Sequence, residues 1–181
     1  MKKKIFFKNI YISKWGWSGV VVSENGLYKI FLPHPEKVML QKSLIDLGKN
    51  FALKESDEMC NFYINFIKDY FDKKQSRFNL KIDWSIVTSF QREVYDICMK
   101  IPYGQVRSYW WIAVRMGNPS YARAVGGAMA INPFPIIVPC HRVVRSGGTL
   151  GGFSSGLELK IALLEHEGID TVKLFRNYKN A

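Results

Sequence analysis

The stretch SYWWIAVRMGNPSYARAVGGAMAI, residues 108–131, decides how the second half of this chain folds. SYWWIAVRMG reads as a short helix, with Ser108 at its N-cap and Gly117 at its C-cap. Asn118-Pro119 then opens PSYARAVGGAMAI, with Pro119 in the first turn of a second helix. Two short helices joined by a tight glycine-containing turn are what a helix-turn-helix needs. Many helical pairs share that pattern and bind nothing, so charge has to sharpen it.

The chain carries 26 Lys and Arg against 15 Asp and Glu, a formal net charge of +11. That excess attracts polyanions, nucleic acid first and anionic membrane second. From Ile97 to Leu157 there is no acidic residue, yet Lys100, Arg107, Arg115, Arg123, Arg142 and Arg145 fall there. Arginine suits forked contacts to phosphates and bases. On a merely solvated basic face, carboxylates are interspersed. The reading is therefore a basic surface carried by the helix pair and by the segment C-terminal to it.

That segment begins with an apolar run ending in PCHRVV, residues 139–144. Cys140 is either a reactive thiol or a small buried residue that happens to adjoin His141. An ordinary thiol ionises near 8.5 and needs a lowered pKa or a base to attack. Acid-free, arginine-bearing surroundings favour the thiolate, and His141 can relay its proton if a third group orients the ring. Downstream acids are Glu158, Glu165 and Glu167, on or at the end of the helix LELKIALLEHEG, which Gly168 stops. Neighbours on one strand point to opposite sides, which makes a water-bridged Cys–His pair more natural than a direct one. The glycine-rich GGTLGGFSSG, residues 147–156, reads as a loop closing over the Cys140 pocket. Two alternatives stay open on the residues alone: a cysteine hydrolase, and a DNA-binding winged helix without chemistry.

Upstream the character changes. FFKNIYISKW, GVVVSE and LYKIFL read as three strands, with a tight hairpin turn at Asn25-Gly26. Residues 35–47 and 55–71 read as helices, the second placing Cys60 on its apolar face. TSFQREVYDICMKI is an amphipathic helix that buries Cys98. The polar DKKQSRFNLKIDW marks a boundary, giving domains 1–82 and 83–181. At 48% hydrophobic and 23% charged, the chain can bury a core. Three cysteines without a CxxC pair point to reduced thiols and a cytoplasmic protein. Three histidines without ligand spacing point away from zinc. No apolar run approaches the ~18 residues of a membrane span, and MKKKIFFKNIYISKW lacks the cleavage site of a signal peptide.

ARAVGGAMAINPFPIIVPCHRVV, residues 122–144, resembles the signature of the O6-alkylguanine-DNA alkyltransferases. IPYGQVRSY upstream and GGFSSGLELKIALLEHEG downstream extend the resemblance over roughly residues 88–168, and the N-terminal third matches in pattern only. The resemblance implies a mixed α/β fold: an RNase H-like sheet-and-helix domain, then a helical winged helix-turn-helix-like domain. It implies alkyl transfer from O6-alkylguanine in DNA to Cys140 in a single turnover, without a cofactor. By position, His141 deprotonates Cys140 through water, Glu167 orients His141, and Asn132 supports the turn. Arg123 fills the gap left by the extruded base, and Tyr109 helps rotate the nucleotide. The backbones of Cys140 and Val143 read the guanine amino group, and the Ser154 region donates to O6. Ser108, Ala122, Gly126 and Phe153 complete the implied substrate- and DNA-contacting set. The implied partner is double-stranded DNA, entered by its minor groove, bound by a monomer away from any membrane. Two residues depart from the family pattern: Phe153 stands where tyrosine is usual, and Ser155 where glycine is common.

Overall fold

The computed structural model describes residues 2–74, 80–147 and 149–176. Residues 75–79 of the polar boundary and Gly148 of the glycine-rich loop lie outside the described residues. Two compact units divide at Ile86/Val87. The class is mixed α/β, as expected.

In the N-terminal unit, β1 (Lys4–Ile12), β2 (Gly16–Ser23) and β3 (Gly26–His34) form an antiparallel meander. Helix α1 (Lys37–Gly48) then leads to β4 (Ala52–Glu55), which pairs parallel with β1 and gives the order β3-β2-β1-β4. The apolar spacing predicts no β4 and starts the next helix at residue 55. Ser56 instead caps α2 (Asp57–Phe71), its hydroxyl accepting from Met59 N, and Glu55 stays in the strand. Ile5, Val21, Leu40 and Leu44 form a core cluster, while α2 buries Cys60, Tyr63, Ile64, Ile67 and Phe71.

The segment after the polar stretch belongs to this unit. Leu27 N donates to Lys81 O and Asp83 N donates to Leu27 O. The buried Asp83 carboxylate accepts from the hydroxyls of Ser23 and Ser85. Gly26 has φ +127°, and a β-carbon there would lie 2.4 Å from Lys81 O, so glycine is required. These contacts carry the unit past residue 82, to Ile86.

The C-terminal unit holds α3 (Ser89–Cys98), α4 (Tyr109–Arg115), α5 (Ala122–Ala130), α6 (Leu157–His166) and α7 (Thr171–Arg176). A capping box opens α3: Thr88 and Gln91 each accept from the other's backbone N–H. Two short strands the sequence reading lacked, β5 (Arg107–Ser108) and β6 (Val143–Val144), pair in parallel. Cys60 and Cys98 are fully buried, as their apolar spacing predicts. No helix among the described residues is long and apolar enough to cross a membrane.

Candidate active site

The helix pair forms as its caps require. The Ser108 hydroxyl accepts from Trp111 N at 3.0 Å to open α4. Gly117, at φ +84°, ends it. Asn118 caps a 3-10 turn over Pro119–Tyr121 that runs into α5. The buried Tyr95 hydroxyl donates to Ala128 O at 2.9 Å and ties α5 to α3. Because β5 pairs with β6, the start of α4 is also tied to the residues just after Cys140.

The turn that presents Cys140 is stapled by one side chain. Asn132 Nδ2 donates to Val138 O at 2.9 Å and to Cys140 Sγ at 3.2 Å. Its Oδ1 accepts from Phe134 N at 2.9 Å. Between these anchors Ile136 sits at φ +75°, a costly region for a β-branched residue. Val138 N bonds Phe134 O across it and holds the strained turn closed.

Cys140, His141 and Arg142 form a 3-10 turn, not the strand the sequence reading assumed. Cys140 is 6% exposed and His141 1%. Burial pushes the Cys140 thiol above its ordinary value, although the Asn132 bond and the Lys160 charge favour the thiolate. The resting group is therefore a neutral thiol, contrary to the expectation drawn from its cationic sequence neighbours. Desolvation outweighs those charges. Burial likewise lowers His141, which rests neutral despite its bond to Glu167.

Glu167 gathers the site. Burial alone would raise its carboxyl, but the bonds from His141 and Arg142 and the Arg142 charge take it down to about 2. His141 Nε2 lies 2.8 Å from Oε1. Arg142 Nε donates to Oε2 and an Arg142 terminal nitrogen to Oε1, each at 2.8 Å. Gly104 N donates to Oε2 at 3.1 Å. Facing an ionised carboxylate, Nε2 carries the imidazole proton, so Nδ1 is the basic nitrogen. Arg142 also donates to Ile101 O at 2.8 Å and is only 9% exposed. It is thus removed from the basic surface on which the sequence reading placed it.

Lys160, to which the sequence motifs give no role, is fully buried. It donates to Val143 O at 2.6 Å and to Leu150 O. Burial lowers its pKa to about 8, against the pull of Cys140. Its spacing from the buried Leu163 and Leu164 sets it on the apolar face of α6, a signal legible in the sequence.

A groove of about 670 Å³ opens onto Cys140. Tyr109, Ala122, Arg123 and Gly126 line the helix side, and Phe153 and Ser154 the loop side. Ser108, Asn132, His141, Val143 and Glu167 are not among its lining residues. Gly151 takes φ +66°, and a β-carbon there would meet the Tyr109 ring at 2.9 Å. The loop can pass Tyr109 only because that residue is glycine.

Fold and site define a helix-turn-helix protein whose basic groove ends on a buried cysteine, backed by a neutral histidine and an ionised glutamate. Comparison with known proteins gives the class its family. A model of the 6-O-methylguanine DNA methyltransferase DNA-binding domain matches residues 89–169. The methylated-DNA–protein-cysteine methyltransferase of Methanothermobacter thermautotrophicus is 35% identical over 152 residues, 83% of this chain and 79% of that protein. The Salmonella typhimurium protein of that name is 51% identical over 81 residues, 45% of this chain, which thus spans about half (47%) of that relative's length. The crystal structure of Mycobacterium tuberculosis OGT in complex with DNA superposes with a TM-score of 0.73 at 28% identity, covering 94% of this chain and 98% of that one. The chain belongs to the methylated-DNA–protein-cysteine methyltransferase family.

Proposed function

We propose that this chain repairs DNA by moving the alkyl group of O6-alkylguanine onto its own Cys140, once and irreversibly. The observation that carries the reading is the Cys140 thiol at the end of the groove, beside a neutral His141 whose Nε2 proton is committed to Glu167. The relatives' names, and the DNA in the M. tuberculosis structure, support it.

A base within the stack cannot present O6 to a buried thiol, so it must be everted, at a cost of a few kcal/mol. Arg123, exposed on α5, fills the vacated stack from the minor groove and offsets part of that cost. Sγ gives its proton through water to His141 Nδ1, and Glu167 stabilises the resulting imidazolium. Sγ then attacks the alkyl carbon; the S–C bond forms as the C–O6 bond breaks. The electron pair leaves on guanine, and donors around Ser154 and Tyr109 stabilise the developing anion. The thioether offers no carbonyl to water, so the protein is consumed. It acts as a monomer, in the cytoplasm, where its three thiols stay reduced.

Intact mass after mixing with a duplex carrying one O6-methylguanine tests this. One added methyl on the Cys140 peptide, saturating at one per protein, is expected. Cys140→Ser keeps duplex binding and gains no methyl. Arg123→Ala slows transfer from duplex while Cys140 still reacts with small alkylating reagents. Unmodified wild-type protein, or turnover of an acyl substrate, overturns the reading.

A further inference from the structure

Helix α4 carries two consecutive tryptophans in different circumstances. Trp111 is half-buried and serves as a platform: the Arg115 guanidinium lies 3.4 Å from its ring centroid and that of Arg107 5.5 Å. Trp110 is 52% exposed and lines the Cys140 groove together with Arg123 and Arg145. An open indole there contributes little to the core, and it has no part in the transfer chemistry. No carboxylate lies between Ile97 and Leu157 to draw a cationic partner.

The ring therefore offers a flat π surface inside a cationic groove. That combination suits a strand with alternating planar bases and anionic phosphates. A neutral apolar peptide would use the indole and leave Arg123 and Arg145 without counter-charge. We propose that Trp110 stacks on a nucleobase of the bound strand beside the everted nucleotide, steadying the distorted DNA while Arg123 holds the gap. This rests on the DNA-repair reading above and adds a contact to it. Stacking is non-ionic, so it contributes affinity without releasing counterions.

The test compares wild type, Trp110→Ala and Trp110→Phe on a duplex with one O6-methylguanine, with 2-aminopurine as the adjacent base. Trp110→Ala is expected to weaken binding by about 5- to 150-fold, the range of base–aromatic stacking. The slope of log affinity against log salt stays at the wild-type value, and Trp110→Phe recovers most of the loss. The 2-aminopurine emission change seen with wild type is lost in the alanine variant and kept in the phenylalanine variant. Transfer from free O6-benzylguanine falls by a smaller factor than transfer from duplex. A flattened salt slope, a phenylalanine variant as weak as alanine, or equal losses on both substrates overturns the stacking role. Wild type that takes methyl from the duplex, with Trp110→Ala matching it in affinity and rate, overturns this proposal alone. Wild type that takes none overturns the parent reading as well.

Discussion

Replacing Arg142 with methionine tests the reading of the buried network. The guanidinium gives Glu167 two bonds of 2.8 Å and Ile101 O a third. Methionine fills similar apolar volume but leaves a carboxylate in the interior without its cation. Breaking a buried pair in this way costs about 3–5 kcal/mol. The acid dependence supplies a second figure. The Glu167 carboxyl falls from an ordinary 4.5 to about 2. At about 1.4 kcal/mol per tenfold in acidity, that is about 3 kcal/mol of folding free energy at neutral pH. The sign follows from a depressed carboxyl: the contribution is complete above pH 4.5 and lost as pH falls toward 2. His141 acts in the same direction, because the unfolded chain takes its proton as pH drops below 6.5 while the buried ring resists. Urea unfolding of wild type should therefore weaken from about pH 6.5, most steeply below 4.5. Arg142→Met should be less stable by about 3–5 kcal/mol at pH 7, with a shallower acid loss, since its carboxylate takes a proton nearer the ordinary range. Adding Glu167→Gln should recover part of the loss. Strict additivity of the two substitutions, or an unchanged acid profile in Arg142→Met, refutes the reasoning.

Three further outcomes rest on the site. Without DNA, Cys140 should react slowly with iodoacetamide at pH 7 and accelerate with a midpoint above that of an ordinary thiol, because burial disfavours the thiolate; a rate already level by pH 8 contradicts this. Asn132→Ala removes donors from Val138 O and Sγ and the acceptor of Phe134 N. It should lower stability by about 1–3 kcal/mol for each buried group left unpaired and move the iodoacetamide midpoint upward. Gly151→Ala brings a methyl to 2.9 Å from the Tyr109 ring at φ +66°. It should destabilise the fold by about 1–3 kcal/mol and slow transfer from alkylated duplex, read by urea midpoint and by methyl incorporation.

The readable parts of this chain are those whose signals are local. Ser108, Gly117 and Asn118-Pro119 announce two helices and a turn because caps and turn residues act over three or four positions. The meander announces itself through Asn25-Gly26 and β-branched runs. ALKE does not, because β4 exists by pairing with the edge of β1, far away in sequence. Nor do the two-residue strands β5 and β6, which are defined by each other. The family motif pointed to Cys140, His141 and Glu167 together, and the structure brings His141 and Glu167 into direct contact. A charge count has no depth, so it sets Arg142 on the surface and leaves Lys160 unremarked. One residue is nearly buried and the other wholly so, and each is held by oxygens from distant segments. The resting state of the thiol is illegible for a related reason: neighbouring positive charge is visible in sequence, while loss of water is not.

The Glu167 carboxylate collects Gly104, His141 and Arg142, and Lys160 closes on Val143 and Leu150. Both side chains lie after Cys140 in the chain, so a ribosome releases the nucleophile before the groups that complete its surroundings. Until α6 has emerged, the thiol lacks the lysine beside it, and His141 lacks the carboxylate that fixes its proton. During synthesis the cysteine is a bystander; it acquires its chemistry only when α6 and the residue that ends it have folded against it.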